Sequence, residues 1–392
     1  MNKFCFTVVI ACYCQLSLAQ KVFLASSGHL KTVKEADAGG NAEVKNAVEL
    51  IVNKADGLLS ARAESVMDKT LIPPGGSKHD YMSLAPYFWP DPSQPNGIPY
   101  LRKDGERNPD VKKITDATYL NHLADRCKLL SLAYYFTGDE KYALKASQLL
   151  AIWFLAPDTK MNPNLNYAQA IRGVNDGRGI GIIESRCLVE LADWIGLLEG
   201  SKSFTANEAV EIKRWYKQYL NWMLASKNGK DEQLSKNNHG TIYDMQVASF
   251  ALFTGDQVLA QKVLTESLKR ITVQIEPDGK QPLELERTRA YSYSTMNLDG
   301  WFNLALLGDH AGVDIWGYKT ADGRNIREAL NWVIPYVLEG KKGDYQQISS
   351  DNKDELYKLL LLAGHKYQDK AYLEKAALIA KDAEIKITDL IY

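Results

Sequence analysis

Leu132-Ala133-Tyr134-Tyr135-Phe136-Thr137-Gly138-Asp139, followed by Lys141-Tyr142-Ala143-Leu144-Lys145-Ala146, returns as Ala248-Ser249-Phe250-Ala251-Leu252-Phe253-Thr254-Gly255-Asp256, followed by Val258-Leu259-Ala260-Gln261-Lys262-Val263. A looser third copy runs Leu360-Leu361-Leu362-Ala363-Gly364-His365 and leads to Ala371-Tyr372-Leu373-Glu374-Lys375-Ala376. Each copy reads as an apolar helix, a glycine stop and a second helix opened near Asp139, Asp256 or Asp369. Such hairpins cannot cover their own apolar faces and need neighbours to do so. Helical periodicity also runs through 43–63, 115–135, 180–198 and 326–338. Strand-like alternation is scarce, with 271–275 a short exception. The expected fold is therefore all-α: helical hairpins curved into an incomplete α/α toroid or barrel, or an open solenoid, with curvature alone separating the two.

Composition narrows the function. The chain has 392 residues, is 45% hydrophobic and rich in Tyr and Trp, which suffices for a large core. A formal net charge of −1 with no long basic run leaves no electrostatic footprint for nucleic acid. Residues 1–19 read as a signal peptide: Lys3 supplies the positive end, 4–18 are mostly apolar, and Ala19 precedes the expected cut. That leaves 20–392 as one secreted or periplasmic domain without a membrane span. Val9-Ile10-Ala11-Cys12 resembles a lipoprotein cleavage box, but cutting there leaves a short apolar region, so cleavage near Ala19 is the expectation. Cys127 and Cys187 remain in the mature chain, each in an apolar helical pattern, and are expected as free buried thiols. No metal-ligand spacing occurs.

One stretch breaks the helical pattern. Residues 71–110 are rich in Pro, Gly and aromatic residues, including Lys78-His79-Asp80-Tyr81 and Ala85-Pro86-Tyr87-Phe88-Trp89-Pro90-Asp91-Pro92. Its Tyr and Trp content argues against disorder, so an ordered, aromatic-rich loop over the cleft is expected. Tyr81, Tyr87 and Trp89 offer faces suited to sugar rings, with His79 beside them. An aromatic plug on the core is the competing reading of the same residues.

Three polar stretches carry the chemistry. Ser235-Lys236-Asn237-Asn238-His239-Gly240 lies between two helical patterns, one ending near Gly229 and one starting near His239. Unpaired N–H groups and the positive dipole end favour an anion there. Asn166, Gln169, Arg172 and Arg178 form a dense donor set ahead of the helix at Ile180. Pro282-Leu283-Glu284-Leu285-Glu286-Arg287-Thr288-Arg289-Ala290-Tyr291-Ser292-Tyr293 adds guanidinium and phenol groups. Taken blandly, Asn237 or Asn238 only caps a helix, Asn and Gly around 162–179 only make turns, and Glu284 and Glu286 are solvated or orient Arg289.

Together the 79–92 motif, the Asn237-Asn238-His239 run and the 282–293 stretch resemble the alginate lyase family of α/α-toroid polysaccharide lyases, over roughly 78–332. The resemblance implies β-elimination on an acidic polysaccharide, a polyuronate, without a metal or organic cofactor; a monomer or weak oligomer is the expected state. It implies Asn238, His239 and Arg289 around the sugar carboxylate and a Tyr at the glycosidic oxygen. Tyr293 is the expected residue and Tyr291 the second choice, because Met296 stands where the better-known members carry a Tyr. Arg287, Asn237, His79, Tyr81, Tyr87, Trp89, Asn166, Gln169, Arg172 and Arg178 are expected to bind substrate. Whether His239 or Tyr293 is the base stays open. A glycoside hydrolase built on two of Asp80, Glu184, Asp244 and Glu284, or a secreted glycan-binding protein, would be the alternatives.

Overall fold

The computed structural model of the chain describes residues 21–349, 353–380 and 383–392, so the expected leader and Cys12 lie outside the described residues. Helices dominate in chain order: α1 Ser27–Ala38, α2 Ala42–Leu58, α3 Asp116–Thr137, α4 Glu140–Phe154, α5 Cys187–Leu198, α6 Ala206–Ala225, α7 Lys227–Gln233, α8 Asn238–Phe253, α9 Gln257–Gln274, α10 Pro282–Leu285, α11 Ala290–Ala311, α12 Ile326–Val337, α13 Lys353–Lys366, α14 Lys370–Ala377 and α15 Ala383–Asp389. The helices α3, α5, α8, α11 and α13 pack side by side as an inner row. The outer partners are α4 on α3, α6 and α9 on α8, α12 on α11 and α14 on α13. This is the incomplete α/α toroid. Inner helices meet neighbours on both sides, so every residue of α5 from Leu191 to Leu198 is buried, as is almost all of α8. An amphipathic stripe is the mark of a helix with one wet face, and these have none.

The repeated turns use one device. Gly138 and Gly255 adopt left-handed backbone at φ +69° and +84°, and Asp139 and Asp256 then cap the next helix through their side chains. The third copy differs from expectation. Gly364 lies inside α13, packed so that a Cβ would fall 2.3 Å from a Leu373 methyl; Gln368, at φ +53°, makes the turn before the Asp369 cap. The strand expected at 271–275 is also absent: Ile271 is one of the buried positions of α9, in step with Ala260, Leu264, Ser267 and Gln274.

The aromatic stretch is ordered and carries short strands among the described residues. β1 Met82–Leu84 pairs in parallel with β4 Tyr167–Ala170, and β2 Phe88–Trp89 pairs antiparallel with β3 Leu101–Arg102. A buried ion pair anchors the base of this loop: Lys69 Nζ lies 3.0 Å from Asp116 and also donates to the Val66 and Lys78 carbonyls, while Met82 N–H donates to Asp116. Cys127 and Cys187 are free thiols. Among the described residues no helix is long and apolar enough to cross a membrane.

Candidate active site

A cleft of about 550 Å³ opens at one end of the inner row, walled by the start of α8, the start of α11 and the aromatic loop. Asn237, Asn238 and His239 reach it because α8 begins there, with Asn237 as the capping residue whose Oδ1 accepts from His239 N–H. Two buried carboxylates hold this wall from behind. Glu284, on α10 and 1% exposed, accepts from both the backbone N–H and Nδ2 of Asn238, each at 2.6 Å. Burial pushes the Glu284 carboxyl up, against the pull of those bonds and of Arg287 and His239. Glu232 of α7 lies 2.7 Å from His239 Nδ1. A carboxylate there accepts a hydrogen bond from Nδ1–H, which leaves Nε2 as the acceptor.

The opposite chemistry comes from the start of α11. Tyr293 Oη is 2.8 Å from Tyr87 Oη of the loop and accepts from Arg287 Nη2 at 3.0 Å. Arg287 in turn donates from Nη2 and Nε to the two Asp104 oxygens, at 2.9 and 3.2 Å, and its guanidinium carbon sits 3.9 Å from the centre of the Tyr293 ring. Burial and the bond to Tyr87 push the Tyr293 phenol above its ordinary value, and the neighbouring Arg287 does not reverse this. Desolvation here disfavours the charged form more than one partly neutralised cation favours it. Asp104 is the counterpart; burial would raise it, but bonds and charge from Arg287, the Thr288 N–H and Arg102 hold it down at about 2.

The floor is polar and cationic. Gln169, in left-handed backbone at φ +51°, is gripped by Arg178, whose Nη2 donates to its Oε1 at 2.9 Å. Arg178 also lies over the Phe88 ring, and burial, then repulsion from Arg102, lowers it to about 10. Arg102, Arg107, Arg186 and Lys236 also line the cleft, and none was among the residues expected to bind substrate. Among the lining residues Glu184 is the one carboxylate, and it accepts from Tyr81 at 2.9 Å and Ser83 at 2.5 Å. A hydrolase needs two. Asp80 is committed to Ser77, Asn162 and Asn164, Asp244 to Arg270, and Glu284 to Asn238.

Several expected site residues stand elsewhere. Arg289 does not line the cleft; its Nε donates to Ser349 Oγ, and Arg287 takes the cleft position instead. Tyr291 is buried against Tyr336 and Trp332, because two helical steps turn it away from the face that Tyr293 occupies. Tyr81 is fully buried behind Glu184, and His79 bonds the Lys160 carbonyl outside the cleft. Trp89 donates to the Glu106 carbonyl and stacks under Lys103, Asn166 accepts from Trp222, and Arg172 lies over Tyr100. Asn238 itself is fully buried at the cleft wall, with one amide proton committed to Glu284. Sequence reasoning also missed Glu232 and Asp104. Glu232 was findable, one short helix ahead of His239; Asp104 is 183 residues from Arg287 and carried no local signal.

A helical toroid with a cationic cleft that gathers an imidazole, a phenol and a guanidinium defines a polysaccharide lyase. The family described as alginate lyase matches residues 65–342, and the chain belongs to that family. An alginate lyase from Bacteroides ovatus is 41% identical, with a TM-score of 0.90 over 95% of this chain and 99% of that one. Alginate lyase A1-III from Sphingomonas species A1 shares the fold at 16% identity, with a TM-score of 0.55 over 87% of this chain and 94% of that one. Comparison with curated proteins returns no match.

Proposed function

We propose that the protein cleaves alginate, or a related polymer of mannuronate, guluronate or glucuronate, by β-elimination at the 4-O-glycosidic bond, after export through its leader. The C5–H bond breaks as its proton passes to a base, the C4=C5 double bond forms, and the C4–O bond breaks as O4 is protonated. The sugar carboxylate must gain neutralising contacts as negative charge builds on it. Arg287 supplies such charge, and Arg102, Arg107, Arg178, Arg186 and Lys236 suit carboxylates of neighbouring sugars. The α8 N-terminus, expected from the sequence to meet an anion, is already occupied, its first N–H groups donating to Glu284 and Asn237.

The observation that carries the proton assignment is the chain Tyr87–Tyr293–Arg287. A neutral phenol is a donor at the start of turnover, so Tyr293 serves as the acid at O4. His239, with Nδ1 bonded to Glu232, then serves as the base through Nε2. The test is ultraviolet absorbance of the unsaturated product on separate mannuronate, guluronate and glucuronate polymers, with Tyr293→Phe and His239→Ala alongside. Each variant should lose about 10³-fold in kcat. If only Tyr293→Phe does so, the phenol is both base and acid. If reducing ends appear without absorbance, the enzyme is a hydrolase.

A further inference from the structure

The helix that carries Tyr293 begins without a cap of its own. Arg289 stands at the capping position of α11 and makes no side-chain bond to the first turn. Four N–H groups at a helix start need outside partners. Here the partners come from a strap at 343–349, just beyond residue 342 where the family match ends. Ala290 N–H donates to the Gln346 carbonyl at 3.0 Å, and Ile348 N–H donates back to the Thr288 carbonyl at 3.0 Å. Gln347 Oε1 accepts from Tyr291 N–H at 3.0 Å, and its Nε2 donates to Ser292 Oγ at 2.8 Å. The strap starts flush against the helix: a Cβ on Gly343 would lie 2.1 Å from Tyr291 Oη. On its other side Ile348 meets Gly105, next to the Asp104 that holds Arg287.

We propose that Gln347 is a positioning residue for Tyr293, a cap supplied from 55 residues away that fixes the first turn of α11 and so the place of the phenol between Tyr87 and Arg287. This rests on the lyase reading for its kinetic consequence but not for its structural one. Gln347 touches neither the cleft nor the phenol. Its effect on Tyr293 travels through the helix start.

The experiment uses the full chain with Gln347→Ala and Gln347→Glu, and reads two quantities. One is kcat and KM on the polyuronate cleaved fastest. The other is the 13C NMR signal of the Tyr293 ring carbon that bears the hydroxyl, identified by its loss in Tyr293→Phe. Gln347→Ala should lower kcat about tenfold with KM changed less than about twofold, because a misplaced proton donor slows chemistry rather than binding. It should also move the Tyr293 signal. Gln347→Glu should recover part of both, since its carboxylate still accepts from Tyr291 N–H and suits a helix N-terminus, while the bond that Gln347 Nε2 donates to the Ser349 carbonyl is lost. An unmoved Tyr293 signal, or an unchanged kcat in an active enzyme, overturns the proposal. So does a Glu variant as impaired as the Ala one. If the wild type cleaves no polyuronate, the lyase reading falls, and the Tyr293 signal alone decides the positioning claim.

Discussion

The two chemical walls of the cleft are built in opposite ways. The α8 wall places Asn238 and His239 by local structure and backs them with two carboxylates, Glu284 and Glu232, each 1% exposed. The α11 wall assembles Tyr87, Asp104, Arg287, Tyr293 and Gln347 from three distant segments, and Asp104 keeps 22% of its side chain in solvent. A buried charge that loses its partner costs far more than an exposed one. The α8 wall therefore couples catalysis to stability, whereas the α11 wall can be retuned with the fold intact.

The largest test of this contrast exchanges the two arginines. Arg287→Ala removes the guanidinium that contacts Tyr293 and should cost about 10²-fold in kcat/KM, the scale of one electrostatic contact in an enclosed site. Arg289→Ala loses only a bond to Ser349 and should cost about fivefold or less, through the strap. Equal losses would break the placement of the α11 wall. Next comes Glu284→Gln. It puts an amide where Asn238 presents two donors, so one buried N–H loses its acceptor at about 1–3 kcal/mol of stability. Thermal unfolding should show that loss in the α8 wall, and Arg287→Ala, which strips the partly exposed Asp104 of its partner, should show a smaller one.

The same contrast explains what could be read from the sequence. The toroid was legible because Gly138-Asp139 and Gly255-Asp256 are local devices, each turn written in adjacent residues. Asn237-Asn238-His239 was legible at a helix start for the same reason. The α11 wall was not. Arg287 and Arg289 are two residues apart in an irregular turn, where no periodicity says which one faces the cleft. Glu284 read as a solvated edge residue because its burial depends on the arrival of α8, 46 positions away in the chain. The β-branched run at 271–275 misled for a related reason: tertiary burial of α9 overrides local strand preference.

The smallest predicted effect separates the walls by pH. Asp104 titrates at about 2 in the folded chain, below the roughly 3.9 of an unperturbed Asp. A carboxyl depressed by folding contributes stability that is fully present above its unfolded value and is lost as pH falls through the folded one. Wild type should therefore lose stability between about pH 4 and pH 2 more steeply than Asp104→Asn, which has no carboxylate to protonate there. The difference is modest because solvent screens a partly exposed pair. Glu284 has the opposite sign: burial raises it, so its ionisation works against the fold and its contribution grows on acidification rather than fading. In unfolding followed across the acid range, Asp104→Asn should flatten the wild-type slope below about pH 4, and Glu284→Gln should steepen it above about pH 4, between the ordinary value of a Glu and the raised folded one. Two variants that bend the curve the same way would mean the two walls are held by the same kind of charge after all.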